Sequence, residues 1–446
     1  MPHPCAPQIV ASTAPGRGRG ASVIGTGWCR VADADREGER LAVTFAVSNY
    51  APSVGGAQEY FRQVAEGLVR RGHDIEVLTT DAVRAPSGSD PGRIEPALEV
   101  LGGVHVRRFH QPRWGTSAVR ARRWWSARVS RRDPAHRVLA TTTVGPIAPA
   151  LALATWRAGR DRDVVVGGPA PFTTATLPGR FRSRRGARVA VVPFLHVHRS
   201  QPHRAVRRAL QRADLVVAMT TFEQEVLRGL DVDPQRQALL SPGTHLDAFA
   251  AMTPTEARRR MGLPERPTVG FVGRLASYKG VDTLLDAAPH LWAEHPELTV
   301  LLAGATTGWA GHREPTVASL AGDRLVVLED FSHGDRAAIL AACDVVVCPS
   351  REESFGMVII EAWAARRPVV AADIDAVRST VERCSGGSLV PVDDALALAA
   401  AVGGLLKDPA RAREAGEAGR RLVEAEYTWP AIVDGWEVHL RALATP

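Results

Sequence analysis

Lysine is almost missing from this sequence. Of its 55 basic residues only Lys279 and Lys407 are lysines, so a lysine inside a motif is not composition noise. Cysteine is sparse too. The five cysteines (Cys5, Cys29, Cys343, Cys348 and Cys384) are odd in number and scattered, with no zinc-ligand spacing. That excludes a disulfide scaffold and reads most simply as a reduced, cytoplasmic chain. No apolar run approaches the ~18 residues of a membrane-spanning helix. A G-x-G-x-x-G run is missing, so there is no dinucleotide fingerprint. Aromatic residues make up 6 % and no nucleic-acid-binding motif appears, which weighs against a nucleic-acid partner despite the basic net charge of +7. No Asp-x-Asp run flanked by apolar strands stands out, so no metal site is expected.

What is present fits a globular chain of two or more domains, with 446 residues, 45 % hydrophobic and 23 % charged. Residues 1–40 are rich in Gly, Ala, Pro and Arg without a continuous apolar segment, and read as a disordered extension and not a signal peptide. Charge divides the rest unevenly. Residues 1–250 carry 35 Arg against 21 acids, a net +14, and residues 251–446 carry a net −7. Between 107 and 132 there are nine arginines and no acid. There Ala118, Ala121, Trp125 and Val129 share a helical face, with Arg122, Arg123, Arg128, Arg131 and Arg132 mostly elsewhere. Such a face suits an anionic membrane surface, or a core-facing helix with solvated arginines.

From Leu41 onward strand and helix patterns alternate. Leu41–Val47 reads as a strand, Gly55-Gly56 as the turn after it, Glu59–Arg71 as a helix and Ile75–Thr79 as the next strand: a βαβ unit. Paired glycines allow a ligand close to backbone N–H groups, or simply a tight turn. Strands are expected at Val104–Phe109, Asp163–Gly167, Arg188–Leu195 and Asp214–Met219, and helices at Val138–Arg157 and Phe222–Leu230. His196 and His198 follow Arg188–Leu195, at a strand end of the kind where open α/β sheets bind ligands. Both stay open, with His196 preferred. Residues 251–266 read as a linker, and strand–helix alternation resumes at Pro267.

Two stretches of the second half carry the chemistry. Gly273-Arg274-Leu275-Ala276-Ser277-Tyr278-Lys279-Gly280 follows an apolar strand and sets two cations five positions apart. Arg supplies a planar fork and Lys a point charge, a pairing suited to a diphosphate. The second runs from Pro349 through Glu353-Ser354-Phe355-Gly356 to Glu361-Ala362, after the apolar run Asp344–Cys348. It reads as strand, loop and helix N-terminus, a place that favours anions. Glu353 lies in the loop and Glu361 about one turn into the helix, ~6 Å along its axis. A phosphate at the helix tip would have a carboxylate on either side, each able to accept from hydroxyls.

The spacing Glu353-x7-Glu361 resembles that of retaining GT-B glycosyltransferases, most closely glycosyltransferase family 4. Gly273–Gly280 is similar to the same family's G-R-L-x-x-x-K-G, and Ser241-Pro242-Gly243-Thr244-His245 to its hinge, with Ser, Thr and His replacing three residues. The resemblance covers about 41–442. It implies an α/β fold of two Rossmann-like domains facing a central cleft: 41–250 on the acceptor side, 267–426 holding the nucleotide-sugar, and a helix in 427–446 returning toward the first. It implies that Arg274 and Lys279 hold the donor pyrophosphate, with Gly55, Gly56, Ser354, Phe355, Gly356 and Glu361 around the donor. It gives Glu353 the sugar hydroxyls and His196 a catalytic positioning role. Gly residues the family often has after the next strand are replaced by Asp375-Ala376-Val377. The implied reaction is retaining hexosyl transfer from a UDP- or GDP-sugar to a lipid-linked or glycan acceptor, without metal or cofactor, in the cytoplasm or at the inner face of its membrane. A GT-B sugar-nucleotide epimerase is the alternative, and a basic nucleic-acid-binding protein a weaker one.

Overall fold

The apolar runs become strands of two sheets. A computed structural model describes residues 39–53, 55–83, 92–111, 148–180, 186–195, 204–249, 252–305, 322–329 and 331–445. The first sheet contains β1 (Ala42–Val47), β2 (Asp74–Thr80), β3 (Leu98–Leu101), β4 (Val104–Phe109), β5 (Val164–Gly168), β6 (Arg188–Val191), β7 (Leu215–Ala218) and β8 (Gln237–Leu239), ordered 3-4-2-1-5-6-7-8. Only β3 and β4 pair antiparallel. The second sheet contains β9 (Thr268–Val272), β10 (Thr299–Ala303), β11 (Leu325–Leu328), β12 (Val345–Cys348), β13 (Val369–Ala372) and β14 (Gly387–Val390), ordered 11-10-9-12-13-14 and parallel throughout. Strands β5, β9, β10, β12 and β13 are buried along their whole length, as expected where helices cover both faces.

The described helices are α1 (Gly56–Arg70), α2 (Pro149–Asp161), α3 (Thr173–Arg180), α4 (Arg204–Arg212), α5 (Thr221–Gly229), α6 (Pro254–Met261), α7 (Val281–Glu294), α8 (Arg336–Ala342), α9 (Met357–Ala364), α10 (Asp375–Val381), α11 (Ala395–Lys407), α12 (Pro409–Glu426) and α13 (Trp429–Ala444). Pro149 is the first residue of α2, where its missing N–H costs nothing, and is not an internal kink. The strand expected to reach Leu195 ends at Val191, two residues before Pro193. The span 251–266, expected as a linker, holds α6. A Thr253/Glu256 capping box starts this helix, and Arg258 ties it to the Ala342 carbonyl (2.9 Å) and Asp344 (2.5 Å) beside the second sheet.

The chain passes between the two sheets twice, and the passages lie side by side. Thr244 N–H donates to the Tyr427 carbonyl (2.8 Å), and Trp429 N–H to the Thr244 carbonyl (3.4 Å). Helix α13 then packs on α1. Trp436 is fully buried, and its indole N–H donates to the Tyr60 hydroxyl (2.8 Å), which donates to the Leu240 carbonyl (2.8 Å). The Tyr60 ring meets Phe194 at 5.4 Å and Trp429 at 6.0 Å.

Candidate active site

Strand β9 sits between β10 and β12, so the chain runs outward on one side of β9 and resumes on the other. At such a reversal the loops leaving the two central strands diverge, and the crevice beyond their C-terminal ends is where open α/β sheets hold ligands. The loop leaving β9 is 273–280. The loop leaving β12 is 349–356. The two cation-bearing and carboxylate-bearing stretches are thereby brought together.

Their contact is intimate. Lys279 Nζ lies 2.5 Å from Glu353 Oε1, and Ser350 Oγ donates to the same oxygen at 2.9 Å. Burial pulls the Lys279 ammonium down, and the charge and hydrogen bond of Glu353 more than offset it, so its pKa stands above the ordinary lysine value. Lys279 Nζ is also 5.5 Å from the Tyr278 ring centre, and Arg274 Nη1 donates to the Tyr278 hydroxyl (3.2 Å). Tyr278 thus links the two cations.

Glu361, the fifth residue of α9, is engaged by Arg336. Both Nε (2.8 Å) and Nη2 (2.6 Å) donate to Oε2. Burial lowers the Arg336 pKa and Glu361 more than restores it, so the guanidinium stays charged. Gly356 starts α9, and Ser354 beside it is half-buried. Phe355 differs from a ligand-facing residue: its ring is buried and meets Tyr427, at the second passage, 5.8 Å away. Its side chain therefore braces the helix tip, and any contact it makes with a ligand is through its backbone.

Across the first sheet, Gly55 caps α1 and Gly56 begins it, and a Cβ on Gly56 would meet nothing within 4 Å. The space beside Gly56 is open, whereas a Cβ on Gly55 would stand 2.3 Å from the Gln58 side chain. His196, His198 and the arginine–tryptophan run 113–132 lie outside the described residues. An Asp-x-Asp run, Asp373-Ile374-Asp375, does follow β13, with α10 and not a second strand after it. Asp373 and Asp375 are both bonded by Arg378 (2.6 and 2.7 Å), which offsets one of their two charges. Cys348 lies behind Glu353, and burial pushes its thiol up to about 12, which removes it as a nucleophile.

One buried carboxylate was not foreseen. Thr220 and Glu223 have capping-box spacing, and Thr220 does cap α5. Glu223 instead accepts the Leu195 N–H and the Met219 N–H, both at 2.7 Å, joining the chain ends beyond β6 and β7. Burial pushes its carboxyl up to about 7, against the lowering pull of those two N–H groups. A raised carboxyl stabilises the fold fully below its unfolded value, and that contribution is lost as pH rises toward 7. Glu223→Gln is therefore expected to flatten the urea midpoint between pH 5 and pH 8, removing up to ~3 kcal/mol of slope. An unchanged slope would place the titration elsewhere.

Residues 55–243 match the family described as "Glycosyl transferase 4-like domain" and residues 266–408 that described as "Glycosyl transferases group 1". A D-inositol 3-phosphate glycosyltransferase of Geodermatophilus obscurus is 32 % identical over 402 residues, covering 86 % of this chain and 84 % of that one. An alpha-D-kanosaminyltransferase of Streptomyces kanamyceticus is 31 % identical over 239 residues, 52 % of this chain and 61 % of that one. Among solved structures, sucrose-phosphate synthase of Thermosynechococcus elongatus superposes with TM-score 0.69 at 24 % identity, over 91 % of this chain and 99 % of that one. Anabaena HepE in complex with UDP and glucose gives 0.63 at 17 %, over 90 % and 100 %.

Proposed function

Because the chain belongs to the group 1 glycosyltransferases with a glycosyltransferase 4-like N-terminal region and the GT-B fold, we propose that it moves a hexosyl unit from a UDP- or GDP-sugar, with retention and without a metal, to an anionic acceptor. The observation that supports this most is the Lys279–Glu353 pair at the reversal between β9 and β12. An arriving diphosphate draws Lys279 away from Glu353. The freed carboxylate then accepts from the sugar hydroxyls. Arg274, Lys279 and the unpartnered N–H groups at the start of α9 stabilise the diphosphate as it leaves. The bond from the anomeric carbon to the phosphate oxygen breaks with its electron pair on the phosphate. The acceptor oxygen bonds to that carbon on the same face, and its proton passes to the departing phosphate.

The test is a panel of sugar nucleotides screened by thermal shift, since ligands of the native state raise apparent stability. Turnover follows, with and without EDTA. Release of free UDP or GDP only when acceptor is added distinguishes transfer from epimerisation. Activity is expected to persist in excess EDTA because the leaving charge is met by Arg274 and Lys279. Loss restored by Mg²⁺ or Mn²⁺ would overturn the metal-free reading.

The arginine excess of the N-terminal half supports an acidic acceptor. The relative named above acts, by its name, on an inositol phosphate, and a phosphorylated polyol suits the same charge. A lipid-linked or glycan acceptor at an anionic membrane is the second reading. It is favoured by α4, which exposes Arg204, Arg207, Arg208 and Arg212. Val206, Ala209 and Leu210 of α4 are buried in the chain's own core, so adhesion there would be electrostatic only. No described helix is long and apolar enough to cross a membrane. Vesicles with anionic lipid should bind the protein and release it at high salt, at ~1 kcal/mol per basic residue near the surface. Equal, negligible binding to neutral and anionic vesicles would leave the small phosphorylated acceptor.

A further inference from the structure

Arg351 lies inside the carboxylate-bearing loop, between Ser350 and Glu352, yet its side chain turns away from the crevice chemistry described so far. Its N–H donates to the Tyr278 carbonyl (2.9 Å), and Nη1 donates to the Ser277 carbonyl. Nη1 and Nη2 grip the two oxygens of Asp282, in the first turn of α7, at 2.8 and 2.9 Å. Nη2 also meets Asp393, beyond β14, at 2.6 Å. Asp393 is held with φ 63, a region costly for a residue with a Cβ, and Thr283 Oγ1 donates to it at 3.3 Å. One guanidinium therefore joins the turn 277–279, the start of α7, the loop after β14 and its own loop. A lysine could not do this, since a point charge lacks the planar fork.

Two features separate Arg351 from a phosphate ligand. Its fork is filled by two carboxylates, and the groups it fixes are the carbonyls of Ser277 and Tyr278, the two residues before Lys279. We propose that Arg351 is a positioning residue, which orients the Lys279 ammonium toward the donor diphosphate by holding the turn that carries it. The proposal rests on the donor reading above. It goes beyond it by assigning affinity for the diphosphate to a residue that does not touch it.

A double-mutant cycle tests it on the full chain, with titration calorimetry against UDP, GDP and ADP. Arg351→Met is expected to weaken binding of the preferred nucleoside diphosphate about tenfold, or 1.4 kcal/mol. In the Lys279→Met background the same change should cost less than about twofold, because nothing is left to orient. Asp393→Asn, which keeps the loop's shape and weakens one grip, provides the same comparison if Arg351→Met does not fold. It should show a smaller loss that also vanishes without Lys279. Equal losses in both backgrounds, or none in either, would overturn the proposal. If the wild type binds none of the three diphosphates, the donor reading fails and the proposal falls with it. That outcome is distinct from wild-type binding without coupling.

Discussion

Lys279→Ala should lower kcat/KM at least about a hundredfold, the scale of losing one charged donor from a preorganised site. Two effects add. The diphosphate loses a charge-assisted hydrogen bond, which is among the stronger polar contacts. In addition Glu353, only 11 % exposed at its side chain, is left without the ammonium beside it, and its charge now repels the ligand. Arg274→Ala should also cost turnover severely, but with a melting temperature near wild type, because its guanidinium is bonded only to the exposed-side Tyr278 hydroxyl among the contacts described. Adding Glu353→Gln to Lys279→Ala should recover part of the UDP or GDP affinity while turnover stays low. Normal steady-state kinetics in both single variants would remove the clamp from the reading.

Gly280→Ala should be among the most damaging single methyls in the chain's second half. Gly280 has φ 68, and a Cβ there would stand 1.9 Å from the Pro349 carbonyl oxygen. Both sides of that contact are backbone, so the loops must part. Parting them separates Lys279 from Glu353. Gly262 is the natural control, with φ 65 and nothing within 4 Å of a Cβ. Gly262→Ala should cost only the ~1 kcal/mol of a left-handed backbone. Gly280→Ala should exceed ~3 kcal/mol in urea unfolding, a loss of the kind reserved for strain and overpacking, and reduce nucleotide affinity as well. Equal costs for the two would mean the loops are not pressed together.

Much of this architecture was legible in the chain. The runs Val345–Cys348 and Thr268–Val272 are continuous and apolar because both faces of their sheet are covered, and such runs can be read without knowing their partners. The Gly273–Gly280 and Glu353–Glu361 stretches stand out by spacing, and the sheet order brings them together. Less visible were the short edge strands Leu98–Leu101 and Gln237–Leu239, where four and three residues hold only one buried position between them. Helix Pro409–Glu426 leaves little apolar periodicity to read, because its composition is mostly charged and small. The partners of the site residues were hidden for a different reason. Lys279 finds Glu353 74 positions away and Arg336 finds Glu361 across 25, and no periodicity encodes a contact between separate loops. Arg351 stood inside a recognisable motif, but its role depends on Asp393, which only the sheet order brings near.

The indole of Trp436 reaching the hydroxyl of Tyr60 spans 376 positions of sequence. On a ribosome adding ~5–20 residues per second, Tyr60 waits on the order of half a minute for that partner. The first sheet is made early, yet the aromatic cover over α1 arrives only after the whole second sheet has been synthesised. Until then Phe45 and Tyr60, the rings that Trp436 meets at 6.2 and 6.5 Å, lack that cover. A nascent chain of this protein would thus be a client for whatever shields such rings, and cutting it before Trp429 would injure the half that had already been built.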